Sequence, residues 1–145
     1  MKLILIRHGL QSRLPGEDDL TIEGLHQAVK LGEELAATKI NAIYCSPAPR
    51  CEQTMDEILR VREDEIAVCF SSLLGPKLKK DGYEKLKSRL NLFLDDLKYD
   101  HRGDETVVVI SHLKPIQMII LLLTGEKAEL KHGEMRSFDY AQDDN

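Results

Sequence analysis

Two arginines and two histidines in this chain stand where strand-ending turns could deliver them to a single anion. Arg7-His8-Gly9 closes the first short apolar run, Arg50 follows Ser46-Pro47 after the second, and Ser111-His112-Leu113 closes the fourth. In open α/β sheets ligands bind beyond the carboxyl ends of the strands, where the N–H groups of the following helices point outward. A guanidinium fork pairs two phosphate oxygens at once and stays charged at any working pH, so Arg7 and Arg50 suit a phosphoryl dianion and its transition state. A neutral imidazole is a nucleophile, which assigns attack to His8; Gly9 leaves room for the substrate and for a tight turn. His112 is expected to be the cationic partner, helped by the positive end of the helix behind Leu113.

The elements that must hold these groups are legible from periodicity. Lys2–Ile6, Ala42–Cys45, Ile66–Phe70 and Thr106–Ile110 are short and nearly continuous apolar runs, the pattern of parallel strands buried on both faces. Between them lie helical segments. Ile22, Leu25, Val29, Gly32 and Ala36 define one face, with Thr21 as the cap. A second helix is expected to open at Ser46-Pro47 and to run through Met55, Ile58 and Leu59. A third carries Tyr83, Leu86, Leu90, Phe93, Leu94 and Leu97, and a fourth follows Ser111 and stops at Gly125. Alternating strands and helices predict a three-layer α/β/α sandwich with a mainly parallel central sheet. An edge strand is expected around Met135–Tyr140, followed by a disordered tail over 141–145.

Bulk properties narrow the class. At 145 residues the chain fits one domain spanning 1–145, long enough to bury roughly 68–70% of its unfolded surface. A net charge of −5 opposes binding to nucleic acid and anionic membranes, so an anion must be drawn by a local cluster. The most apolar tract, Ile116 to Leu123, is far shorter than the roughly 20 residues that cross a bilayer. MKLILIRHG is too short for a secretory signal, and three cysteines without a CxxC pair suggest a reducing cytoplasm.

Four ordered segments then carry a resemblance. Arg7-His8-Gly9, then Leu20, Thr21, Gly24, Gln27 and Ala28, then Ser46, Pro47, Arg50, Gln53 and Thr54, and finally His112 are similar to the motifs of the histidine phosphatase superfamily, the phosphoglycerate mutase-like proteins. The resemblance implies a phosphohistidine intermediate on His8, no metal or other cofactor, and water as the final acceptor. It also implies a substrate that is a phosphorylated protein or a small phosphate ester, with Gly9 and Leu113 beside the four charged groups in the binding site.

One departure carries chemical weight. Many members place a glutamate acid after the third strand, where this chain has Leu73-Leu74-Gly75. General-acid help to an alkoxide leaving group is commonly worth about 10²–10⁴-fold, whereas the imidazole of a phosphohistidine departs neutral. The chain therefore most resembles the bacterial phosphohistidine phosphatases of the SixA type, which share Ser-His-Leu around the second histidine. Asp81 and Glu84 are the weak substitutes for the acid. The rivals are a small-metabolite phosphatase acting on sugar or nucleotide-derived phosphates and a phosphate-binding module without turnover. His26, His101 and His132 read as surface residues, Cys45 and Cys69 as packing on buried strands, Cys51 as packing beside Arg50, and Lys77, Lys79 and Lys80 as a solvated loop that could steer an acidic partner. The oligomeric state is not encoded in any motif.

Overall fold

The computed structural model describes residues 1–140; the predicted disordered tail at 141–145 lies outside the described residues. Strands β1 (Lys2–Arg7), β2 (Ala42–Cys45), β3 (Ala67–Phe70), β4 (Thr106–Ser111) and β5 (Met135–Asp139) form one sheet in the order β3-β2-β4-β1-β5. All neighbouring pairs are parallel except β1 with β5. Helices α1 (Ile22–Leu35), α2 (Pro49–Arg60), α3 (Tyr83–Asp100) and α4 (Leu113–Thr124) cover its two faces.

The strand pleat decides which helix pair meets which side chain. Leu3, Leu5, Val107 and Val109 pack with Leu90, Phe93, Ile116 and Ile119 of α3 and α4. Ile4, Ile6, Val108 and Ile110 face the other way, onto Leu31, Leu35, Met55 and Ile58 of α1 and α2. Two apolar cores with the sheet between them make the three-layer α/β/α sandwich expected from the sequence.

Three local expectations are corrected. In α1 the buried face is Gly24, Ala28, Leu31, Gly32 and Leu35, while Ile22 is 75% exposed and Leu25 and Val29 also face solvent. Small residues win here because α1 lies close to its neighbours: a Cβ on Gly32 would sit 3.0 Å from the Glu57 carbonyl oxygen of α2. Helix α2 opens at Pro49, with Ala48 as its cap, so Pro49 and not Pro47 takes the first helical position. Strand β3 is an exposed edge and Cys69 is exposed with it, because β3 pairs only with β2. Thr21 does cap α1, accepting from the Gly24 N–H at 3.0 Å, and Gly125 ends α4 at φ +76°, a conformation that favours glycine.

Candidate active site

The sheet hydrogen bonds run one residue past the strands and deliver the chemistry. The His8 N–H donates to the Ser111 carbonyl at 3.1 Å and the Ser46 N–H to the Ile110 carbonyl at 2.9 Å, which brings the ends of β1, β2 and β4 to one rim. His8 and His112 lie there, each only 4% exposed, with ring centroids 5.2 Å apart. The Arg50 guanidinium lies against both rings. Its Nε donates to His8 Nε2 at 3.3 Å and its Nη2 to His112 Nδ1 at 3.1 Å.

These contacts fix the tautomers. A carbonyl only accepts, so His8 Nδ1, 2.7 Å from the Gly9 oxygen, carries the proton and leaves Nε2 unprotonated, its lone pair accepting from Arg50. His112 accepts from Arg50 on Nδ1, so its Nε2 carries the hydrogen and donates to Ser46 Oγ at 2.9 Å. Burial, opposed by the Gly9 hydrogen bond and reinforced by Arg50, lowers the His8 pKa to about 4. Burial and then Arg50 lower His112 to about 3. The expectation that His112 is the cationic partner is therefore corrected: burial and Arg50 keep its ring neutral, and an incoming dianion would supply the field that favours its protonated form.

Arg7 holds the opposite side. Its Nη1 donates to the Leu130 carbonyl at 2.7 Å and its Nη2 to His132 Nε2 at 2.9 Å, while its Nε is buried without a partner. His132 stands 5.7 Å from the His8 ring, and burial with Arg7 lowers its pKa, so it is a neutral member of the cluster and not the surface residue expected. Gly133, at φ +73°, donates its N–H to the carbonyls of both Arg7 and His8 at 3.1 Å and so places His132. The only sequence signal was a His-Gly pair ahead of β5, which echoes His8-Gly9 too weakly to be read alone. His101 is corrected as well: its Nε2 pairs with the Tyr44 hydroxyl at 2.6 Å and its Nδ1 lies 3.3 Å from Glu105. His26 is exposed.

The remaining motif residues are braces. The Gly9 N–H is taken by Thr54 Oγ1 at 3.1 Å, and a Cβ on Gly9 would come within 2.6 Å of the Gly24 carbonyl oxygen, so Gly9 serves close backbone approach here. Gln27 accepts from the Leu10 N–H at 2.9 Å, and Gln53 accepts from the Leu20 N–H at 2.7 Å. Both ends of the 10–20 segment are thereby tied to α1 and α2. Leu113 opens α4, where its N–H lacks an intrahelical acceptor. Ser46 does not cap a helix but orients His112. Cys51 is buried against that imidazole, and burial pushes its thiol up to about 12, which suits packing and not reactivity.

The sequence reading passed over Asp18, whose Oδ1 accepts a hydrogen bond from Arg50 Nη1. Any phosphoryl group that claims this arginine must compete with that carboxylate. Asp18→Asn is expected to tighten competitive inhibition by inorganic phosphate about three- to tenfold, the scale of a partly exposed ion pair. An unchanged inhibition constant would mean that the carboxylate is not in the anion's way. The weak acid candidates fare differently: Asp81 pairs with Lys85 at 3.3 Å and Glu84 is exposed. The Leu74 carbonyl is pinned by Ser111 Oγ at 2.6 Å. Among the described residues no three His, Cys, Asp or Glu side chains are grouped to hold a metal ion, and no helix is long and apolar enough to cross a membrane.

The chain is similar in sequence and fold to known phosphatases. The chain is 29% identical to phosphoserine phosphatase 1 of Hydrogenobacter thermophilus, over 86% of this chain and 77% of that protein. The protein histidine phosphatase SixA complexed with tungstate superposes with a TM-score of 0.77 at 22% identity, covering 94% of this chain and 86% of that one. The α-ribazole phosphatase of Shigella flexneri gives 0.78 at 20% identity, covering 98% and 92%. At these identities the two structures establish the shared fold. The model of the histidine phosphatase superfamily (branch 1) matches residues 3–70, the part of the chain that carries Arg7, His8 and Arg50.

Proposed function

We propose that this phosphatase acts on protein phosphohistidine through a covalent intermediate on His8. The observation that carries the reading is the unprotonated Nε2 of His8, its ring proton fixed on Nδ1 by the Gly9 carbonyl and its lone pair held only by a long 3.3 Å hydrogen bond from Arg50, which an incoming phosphoryl group would draw away. With a pKa of about 4 the ring is neutral and nucleophilic across the physiological range. The Nε2 lone pair forms a bond to phosphorus as the bond to the leaving imidazole nitrogen breaks. The electron pair leaves with that nitrogen, and the substrate ring departs neutral because its other nitrogen keeps a proton. Water then attacks phospho-His8, yielding inorganic phosphate and restoring the imidazole. Arg7, Arg50 and, in the protonated form that the dianion favours, His112 supply donors to the phosphoryl oxygens.

The pinned Leu73-Leu74-Gly75 segment, with no carboxylate of its own, supports a substrate whose leaving group needs no proton. SixA, described as a protein histidine phosphatase, has the same fold. A second reading, a small phosphate ester, is favoured by one observation: the Asp18 carboxyl lies at the site, where its protonated form, once the phosphoryl group has taken Arg50 from it, would supply the acid that an alkoxide needs. The relative described as a phosphoserine phosphatase points the same way.

Hydrolysis of a phosphohistidine peptide should exceed that of phosphoserine and sugar phosphates by about 10²-fold or more in kcat/KM, the worth of one general acid. Phosphate on His8 should be trapped by rapid acid-free quenching and mass spectrometry. Faster turnover of the esters would transfer the assignment to the second reading.

A further inference from the structure

A trough of about 500 Å³ lies between α3 and α4, lined by Leu86, Met118 and Leu121 and ringed by Lys77, Lys114 and Lys127. Two chain segments link it to the active site. Lys114 is the second residue after His112, and the segment that carries Lys127 ends at Leu130, whose carbonyl holds Arg7 at 2.7 Å. Gln117 of α4 ties down the same segment by donating to the Ala128 carbonyl at 2.7 Å.

The charge arrangement is unlike the rest of the molecule. The chain carries a net charge of −5, yet the trough gathers three ammonium groups against one carboxylate, Glu129, which lies in the field of Arg7. Among the described residues none of the three lysines is paired with an acidic side chain. Other lysines do find such partners: Lys30 lies near Glu34 and Lys85 near Asp81. Unpaired cations around an apolar floor, in a protein that otherwise repels anions, form a local field suited to an external acidic group. A cavity this size takes a few side chains, and the apolar floor favours an occupant that combines carboxylates with an aliphatic residue.

We propose that this trough docks an acidic segment of the phosphorylated protein substrate, its carboxylates on Lys77, Lys114 and Lys127 and an aliphatic side chain on Leu86, Met118 and Leu121. The proposal rests on the protein-substrate reading above and extends it from the phosphoryl group to the surrounding sequence. A segment held there would present its modified side chain to the adjoining rim, so docking would lower KM and leave kcat alone.

The test separates docking from chemistry. A fluorescent, unphosphorylated peptide carrying three glutamates and a leucine is titrated against the full chain, its Gln-for-Glu counterpart serves as control, and both are repeated on K77Q/K127Q. The acidic peptide should bind about three- to tenfold more weakly to the variant, and the difference should shrink as salt rises from 50 to 500 mM, about a threefold contraction of the Debye length. Phosphoramidate, too small to reach the trough, should be turned over equally by both proteins. In phosphohistidine peptides the acidic flank should lower KM several-fold in the native protein only.

Equal binding of the acidic peptide by the native protein and K77Q/K127Q would overturn the proposal. So would equal affinity for a bisphosphorylated sugar that displaces the peptide, which would assign the trough to small anions. Charge-dependent peptide binding without hydrolysis of any phosphohistidine peptide would remove the substrate reading and leave the trough's preference for acidic segments established.

Discussion

With His8 replaced by Ala, turnover of every phosphorylated substrate should fall by at least about 10⁴-fold, because no neighbouring group offers an equivalent lone pair. His112 Nδ1 accepts from Arg50, as His8 Nε2 does, but His112 is also tied through Nε2 to Ser46, and His132 Nε2 is occupied by Arg7. The anion site itself should survive in H8A. Arg7 is held by Leu130 and His132, and Arg50 keeps Asp18 and His112, so inorganic phosphate should still bind within about tenfold of the native affinity. Circular dichroism and a phosphate titration separate loss of the nucleophile from loss of the fold. Residual turnover above about 1% in a folded, phosphate-binding H8A would remove His8 from the role of nucleophile.

Arg50→Gln should lower kcat/KM about 10²–10³-fold, the usual effect of removing one preorganised donor from a developing charge. The same variant has a second signature. Arg50 is the second-largest cause of the depressed His112 pKa and also lowers His8, so both imidazoles should titrate higher in the variant. In the native protein the folded-state values of about 4 and 3 lie below the ordinary 6.5, so between those limits the unfolded chain binds more protons than the folded one. Stability is therefore full above pH 6.5 and falls as the pH drops from about 6.5 to about 4 for His8 and to about 3 for His112. Raising both folded-state values narrows that window. Urea melts at pH 7 and pH 5 should show a smaller acid-induced loss in R50Q than in the native protein, with NMR titration of the ring protons reporting the shift directly. The same acid-induced loss in both proteins would mean that Arg50 does not govern the protonation of the pair.

What could be read from the sequence was whatever lies at the end of a strand. Arg7, His8, Arg50 and His112 follow short β-branched runs, and sheet hydrogen bonding brings such ends together whatever the intervening chain does. Asp18 and His132 escaped because their placement depends on how the 10–20 and 126–134 segments close in three dimensions, through Gln27, Gln53 and Gly133, and no periodicity records that. The face of α1 was misjudged for a related reason. Apolar spacing favoured Ile22, Leu25 and Val29, but helix contact distance selected Gly24, Ala28 and Gly32. The protonation state of His112 is a matter of desolvation, and burial depth is a property of the assembled rim rather than of any motif.

The Gly9–Gly24 contact divides the rim into a part that can change and a part that cannot. There main chain touches main chain, and a methyl group on either residue would overlap a carbonyl oxygen across the gap. The 71–82 segment is fastened at a few points, the Leu74 carbonyl by Ser111 and the Leu73 and Gly75 carbonyls by Arg89, and runs on into exposed Leu78, Lys79 and Lys80. For loops grafted to roof this site, and so to redirect it among phosphorylated compounds, the lysine-rich segment is the place to add length, because its tip is exposed, whereas the Gly9–Gly24 contact leaves no room even for a methyl group.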